Sequence, residues 1–153
     1  MTAGNGAILL DTNILVYAYD RSDHVKQHRA EEILDFLTLR GAGVISTQVL
    51  GEFFCTVIRK LASPLSPEDA WGRVDYYVRA WTVLDVTGSV VLEAIRGVRE
   101  HRLNYWDAQI WAAARWHQIP VILSEGFNDG AVLEKVRFLN PFRPSFRLAD
   151  WIG

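Results

Sequence analysis

The chain is nearly devoid of cysteine: Cys55 stands alone among 153 residues. An internal disulfide framework is therefore excluded, and the composition fits a reducing cytoplasm. Long apolar runs are missing too; none approaches the ~20 residues that a membrane-spanning helix needs. The opening "MTAGNGAILLD" lacks a basic stretch and its apolar run is short, so no signal peptide is expected and a cytoplasmic, membrane-free protein is. There is little charge of either sign to spare. A formal net charge of −2 and a pI near 6.1 give no global attraction to nucleic acid or anionic lipid. Any polyanion must be held by a local patch or a bound cation. Histidine is sparse: His24, His28, His101 and His117 are scattered and, with one cysteine, form no zinc spacing. Repeats and low-complexity tracts are absent.

What remains is an ordinary globular composition, 50 % hydrophobic and 22 % charged, in a length that suits one domain over residues 1–153. Short apolar segments read as strands at Ala7–Leu10, Gly43–Ser46, Thr82–Val86 and Pro120–Leu123, with a weaker one at Val136–Leu139. Helical spacing marks His24–Arg40, Gln48–Ala62, Ser89–His101 and Tyr105–His117, and "SPED" at Ser66–Asp69 opens another helix. Strands that alternate with helices predict an α/β fold with a central parallel sheet covered on both faces. Such sheets bind ligands beyond the carboxyl ends of their strands.

At one such end stands Asp11, in "AILLDTNILVYAYD". A carboxylate between two segments that both favour burial is either a helix cap or part of a site, because an unpaired buried charge is costly. Other acids occupy comparable places. Glu52 lies early in the helix after the second strand, Asp107 opens the helix of "LNYWDAQIWAAARW", and Glu125 and Asp129 lie in "ILSEGFNDG" after the fourth strand. Taken singly, each has an ordinary role. Asp11 or Thr12 can cap the next helix, Glu52 shares a stripe with Gln48, Thr56 and Arg59 that reads as a solvated face, and Asp107 suits a first helical turn. Taken together on one rim they would repel, and Mg²⁺ or Mn²⁺ is the natural counter-charge for carboxylate oxygens.

The pieces "ILLDTNILVYAYD", "ISTQVLGEFF", "LNYWDAQIWAAA" and "VILSEGFNDG", followed by "VRFLNPF", resemble the PIN-domain family, and within it the VapC-like toxins. The resemblance covers essentially the whole chain. It implies a three-layer α/β fold, a metal-dependent ribonuclease, homodimerisation and inhibition by a small antitoxin. By position, the metal-binding acids would be Asp11, Glu52 and Asp107, with Thr12, Asn13 and Ser124 as supporting polar groups. One departure stands out. Related sequences carry an acid two residues after the Ser or Thr that ends the fourth strand, where this chain has Gly126. Either Glu125 or Asp129 substitutes, with Asp129 slightly favoured, or three carboxylates suffice, or catalysis is impaired.

The mechanism expected from this set is hydrolysis of an RNA phosphodiester, with Glu52 or Asp129 orienting the attacking water. Arg21, Lys26, Lys60, Arg137, Arg143 and Arg147 are candidate phosphate contacts. Tyr17, Tyr19, Trp106 and Phe127 are candidate stacking surfaces, although core or antitoxin contacts are the commoner use of such aromatics. The Tyr76–Tyr77 and Trp81 region is expected within a helix pair or at a dimer contact. Two rivals remain. A degenerate PIN fold could bind RNA or a protein without cutting. A haloacid-dehalogenase-type phosphatase would need a second Asp where the chain has Asn13.

Overall fold

A computed structural model describes residues 6–152. Its framework is a six-stranded sheet in the order β3-β2-β1-β4-β6-β5. These strands are β1 (Ile8–Leu10), β2 (Gly43–Ser46), β3 (Thr82–Leu84), β4 (Val121–Leu123), β5 (Val132–Leu133) and β6 (Val136–Leu139). All neighbours pair parallel except β5 with β6. The helices are α1 (Thr12–Tyr17), α2 (His24–Arg40), α3 (Thr47–Arg59), α4 (Pro67–Ala80), α5 (Gly88–His101) and α6 (Tyr105–Trp116), and a 3₁₀ turn covers Leu148–Asp150. This is the three-layer α/β architecture that the alternation of strands and helices implies.

The central strands β1 and β4 are buried at every position, as strands covered on both faces must be. Ile8, Leu9 and Leu10 pair with Val121, Ile122 and Leu123, so the two strands end level with each other. That register brings the residues just beyond, Asp11 and Ser124, side by side. Elsewhere two glycines allow close packing. A Cβ on Gly43 would lie 2.6 Å from the Trp81 ring, and one on Gly97 would lie 2.9 Å from Trp111. These positions seat the two buried tryptophans against β2 and α5.

Several boundaries differ from the sequence reading, each for a local reason. The third strand stops at Leu84 because the Val86 N–H donates to Thr47 Oγ1 at 3.1 Å instead of to a strand. Helix α3 stops at Arg59 ahead of the "SPLSP" segment, where Pro64 disfavours helical backbone before it. The short β5 has no turn signature in the sequence. Its link to β6 is Glu134-Lys135, both in left-handed backbone at φ +48° and +72°, without the Asn-Gly pair that usually marks such a hairpin. Glu134 is fixed there by Arg96, which donates to both of its oxygens at 2.9 Å, and by His101 at 2.5 Å. Among the described residues no helix is long and apolar enough to cross a membrane.

Candidate active site

The carboxyl rim of the sheet assembles the site. Asp11 follows β1 and caps α1 in extended backbone, where its Oδ1 accepts from the Thr12 N–H at 2.7 Å. Its Oδ2 accepts from Ser124 Oγ at 2.7 Å. Of the alternatives in the sequence the cap is observed, and the same side chain lines an acid-bearing cavity. Asp11 is 7 % exposed. Burial pushes its carboxyl up from 3.8 to about 6, the charges of Asp107 and Glu52 add to that rise, and the Ser124 and Thr12 hydrogen bonds oppose it.

Glu52 projects from the second turn of α3, and its Oε1 accepts from Thr12 Oγ1 at 2.7 Å. Asp107 lies in the first turn of α6, whose cap is Asn104. The Asp107 N–H donates to Asn104 Oδ1 at 3.0 Å, and Asn104 Nδ2 donates to Asp107 Oδ2 at 2.5 Å. Asp11, Glu52 and Asp107 line a single cavity of about 1000 Å³, together with Thr12 and Asn13. The set is hard oxygen throughout, which suits a hard divalent cation. As the side chains stand, no three His, Cys, Asp or Glu groups among the described residues are drawn close enough to hold an ion. The hydrogen bonds to Thr12 and Asn104 account for how two of the three acids are held.

The two loop acids go elsewhere. Glu125 pairs with Lys26 and accepts from the Tyr17 hydroxyl at 2.6 Å, while its own N–H donates to Asn13 Oδ1 at 3.3 Å. Asp129 accepts from the Asn140 N–H at 2.8 Å and pairs with Arg143 at 3.3 Å. It lines a small hollow of about 160 Å³ beside the C-terminal segment, so the loop does not fold Asp129 back toward Asp11. Gly126 itself does face the site. A Cβ there would lie 3.8 Å from Ser124 Oγ and 3.9 Å from Asn13 Nδ2.

The candidate cations do not form one patch. Lys60 lines the cavity, Lys26 is held by Glu125, Arg143 by Asp129, and Arg137 lies over the Trp151 ring. Arg147 borders the small C-terminal hollow, and Arg21 is exposed. Of the aromatics, Tyr17 and Trp106 line the cavity, whereas Tyr19 shares a hydroxyl bond with Tyr77 and Phe127 stacks on Phe138 at 4.0 Å. Tyr77 packs edge-on against Trp81 at 5.7 Å, within the helix region. The Gln48–Glu52–Thr56–Arg59 stripe, legible as a solvated face, instead lines the cavity.

Sequence reasoning passed over a brace between α3 and α6, the helices that carry Glu52 and Asp107. Gln109 Nε2 donates to Gln48 Oε1 at 2.8 Å, Tyr105 Oη donates to Gln109 Oε1 at 2.6 Å, and Gln48 Nε2 donates to the Trp106 carbonyl at 3.1 Å. Its one signal was Gln109, a polar residue inside the apolar run "AQIWAAA".

A parallel sheet whose central strand delivers a buried aspartate to an acid-lined rim defines a small α/β domain with its site at the strand ends. The chain belongs to the PIN-domain family, which its sequence matches over residues 8–136. That membership displaces the phosphatase alternative. No curated protein matches the sequence. Among solved structures, FitAB bound to an IR36 DNA fragment aligns with a TM-score of 0.67 at 19 % identity, covering 91 % of this chain and 98 % of that one. A toxin–antitoxin complex from Klebsiella pneumoniae aligns at 0.64 and 18 %, covering 88 % and 98 %. Mycobacterium tuberculosis VapC20, described as a sarcin–ricin-loop-cleaving toxin, aligns at 0.58 and 18 %, covering 76 % and 87 %. At these identities the likeness is one of fold.

Proposed function

We propose that this protein is a divalent-metal-dependent endoribonuclease and the toxin of a toxin–antitoxin pair. The observation that carries this reading is Asp11: a buried carboxyl, held up near 6, facing two further acids across one open cavity. A fold gains nothing from that repulsion, and a cation removes it. Membership of the PIN family and the fold shared with toxin–antitoxin proteins support the same reading.

Asp11 and Asp107 would hold Mg²⁺ or Mn²⁺, with Glu52 completing the acidic set. Bound there, the ion supplies charge stabilisation to the phosphate under attack and acidifies water for that attack. Ser124 keeps Asp11 ionisable and aimed. Thr12 fixes one oxygen of Glu52 and leaves the other to orient the attacking water and take its proton. Thr12 and Ser124 are positioning residues. A cognate antitoxin and a second copy of the chain are the protein partners proposed, for which the exposed apolar side chains Trp71, Val78, Leu92 and Trp116 offer surface.

Cleavage of total RNA by the partner-free protein in Mn²⁺, in Mg²⁺ and in EDTA tests this. Metal-dependent discrete cuts that vanish in Asp11→Asn are expected; full activity in that variant would sink the assignment. The placement of Glu125 and Asp129 away from the cavity favours a second reading, a PIN scaffold that binds without cutting. That reading gains if the folded protein fails to bind Mn²⁺.

A further inference from the structure

Lys26 stands where its own helix does not favour it. It is the third residue of α2, whose cap Asp23 accepts from the Lys26 N–H at 3.1 Å. The amino end of a helix carries partial positive charge, so a cation in the first turn is disfavoured. Other elements build the seat that holds this one. The ammonium pairs with Glu125 of the loop after β4 and lies 3.3 Å from the Tyr17 hydroxyl of α1. It also stands over the Tyr17 and Phe142 rings, at 4.9 and 5.4 Å from their centres. Both carboxylate oxygens of Glu125 are thereby engaged, Oε1 by the Tyr17 hydroxyl at 2.6 Å and Oε2 by Lys26.

The carboxylate so held adjoins the open place on the rim. The Gly126 N–H donates to Ser124 Oγ at 3.0 Å, and Ser124 in turn donates to Asp11. The Glu125 N–H is bonded to Asn13, which lines the acid-bearing cavity, as Tyr17 does. The Glu125 carboxylate therefore stands one hydrogen bond behind the cavity wall, on backbone already tied to the rim. Gly126 adds no side chain to the space beside Ser124 and Asn13. Stability does not account for the arrangement. Lys26 and Glu125 are 31 % and 28 % exposed, and ion pairs open to water contribute little to a fold.

We propose that the Lys26–Glu125 pair is a latch on the acid rim. Lys26 holds back the carboxylate next to the place left open at Gly126, and so keeps the rim's grip on a divalent cation weak. The proposal rests on the reading of the rim as a cation site. It makes Lys26 and Tyr17 positioning residues and Glu125 a ligand in reserve. Ammonium and metal ion compete for the same oxygens, and a hard cation gains from each carboxylate it wins.

The test is Mn²⁺ titration of the full chain, with free ion read by electron paramagnetic resonance. Lys26→Met keeps an unbranched apolar stem against the two rings and removes the charge. It should bind Mn²⁺ about tenfold more tightly than the parent. The gain should persist in about 0.5 M KCl, which screens the mere loss of a nearby positive charge. Adding Glu125→Gln should abolish the gain. Adding Glu125→Asp, which keeps the charge but shortens the reach, should abolish it too. In EDTA, Lys26→Met should melt as one cooperative unit, which shows that the fold is retained. Affinity equal to or below the parent's would overturn the latch, as would a gain that salt erases or that survives Glu125→Asp. Absence of Mn²⁺ binding in the parent and in every variant would overturn the latch and the metal reading together. Parent-like affinity in Lys26→Met, with RNA still cut in Mn²⁺, would overturn the latch alone. The expected gain with no RNA cut would leave the latch standing and remove the nuclease.

Discussion

Ser124 donates to Asp11 Oδ2 at 2.7 Å, joining the ends of the two central strands through a pair of buried side chains. The bond opposes the burial that pushes the Asp11 carboxyl up, so it governs how readily the acid ionises near neutral pH. Ser124→Ala should raise the Asp11 pKa beyond about 6 and weaken Mn²⁺ binding roughly tenfold, the usual scale for a group that orients a ligand. The fold should lose about 1 kcal/mol, the net worth of one hydrogen bond. Titration calorimetry with Mn²⁺ at acid and neutral pH reads the affinity and its pH dependence, and chemical denaturation reads the stability; an unchanged affinity would show that the Ser124 bond does not tune the ion site.

Asp11 also sets a stability trade. Its carboxyl rises from 3.8 to about 6, so the folded state holds a proton that the unfolded chain has released across that interval. Stability of the metal-free protein attributable to this group therefore grows as pH falls from about 6 toward 3.8, and is reduced by ~1–3 kcal/mol at neutral pH. Asn keeps the helix cap without the buried charge. Asp11→Asn should thus unfold at a higher temperature than the parent in EDTA, and Mn²⁺ should stabilise the parent but not the variant. Thermal scans with and without the ion decide it.

The β5–β6 hairpin is held by ions instead of by turn residues. Arg96, more than any other group, holds the Glu134 carboxyl down at about 2, with His101 and Arg115 contributing. Glu134 therefore supports the fold fully above its unfolded value near 4.5, and that support fades as pH falls toward 2. The side chain is 28 % exposed, so solvent screening limits the loss in Glu134→Gln to about 1–2 kcal/mol at neutral pH. At acid pH the variant and the parent should converge. Lys135→Gly should act oppositely and stabilise by about 1 kcal/mol, because its φ of +72° penalises a side chain. Chemical denaturation at the two pH values measures all three.

Much of this was legible beforehand, and the exceptions share a cause. Strands β1, β2 and β4 announce themselves as short apolar runs because both their faces are covered, β6 does so more weakly because Arg137 interrupts it, and a rim position follows directly for Asp11, Glu52 and Asp107. Hairpin β5–β6 and the Gln48–Gln109–Tyr105 brace were illegible because each depends on a partner remote in sequence: Arg96 for the turn, α6 for the glutamine on α3. Asp129 failed for the same reason. Nothing in "SEGFNDG" tells that Arg143 and the Asn140 N–H will capture its carboxylate.

Gly126 offers the sharpest test of how much charge the site needs. Its missing Cβ points toward Ser124 Oγ and Asn13 Nδ2 at ordinary contact distances, and its backbone is not left-handed, so an aspartate fits without strain. Gly126→Asp should place a fourth carboxylate beside Asp11. With no ion present the added repulsion should lower the unfolding temperature and push the Asp11 carboxyl further up. With Mn²⁺ present the same charge should tighten binding about tenfold, since a hard cation gains from each added carboxylate oxygen. A variant that is less stable in EDTA and more strongly stabilised by Mn²⁺ would show that the rim is a metal site short of one ligand. Lower stability in EDTA with no gain from Mn²⁺ would show that the three acids face one another for some purpose other than holding a cation.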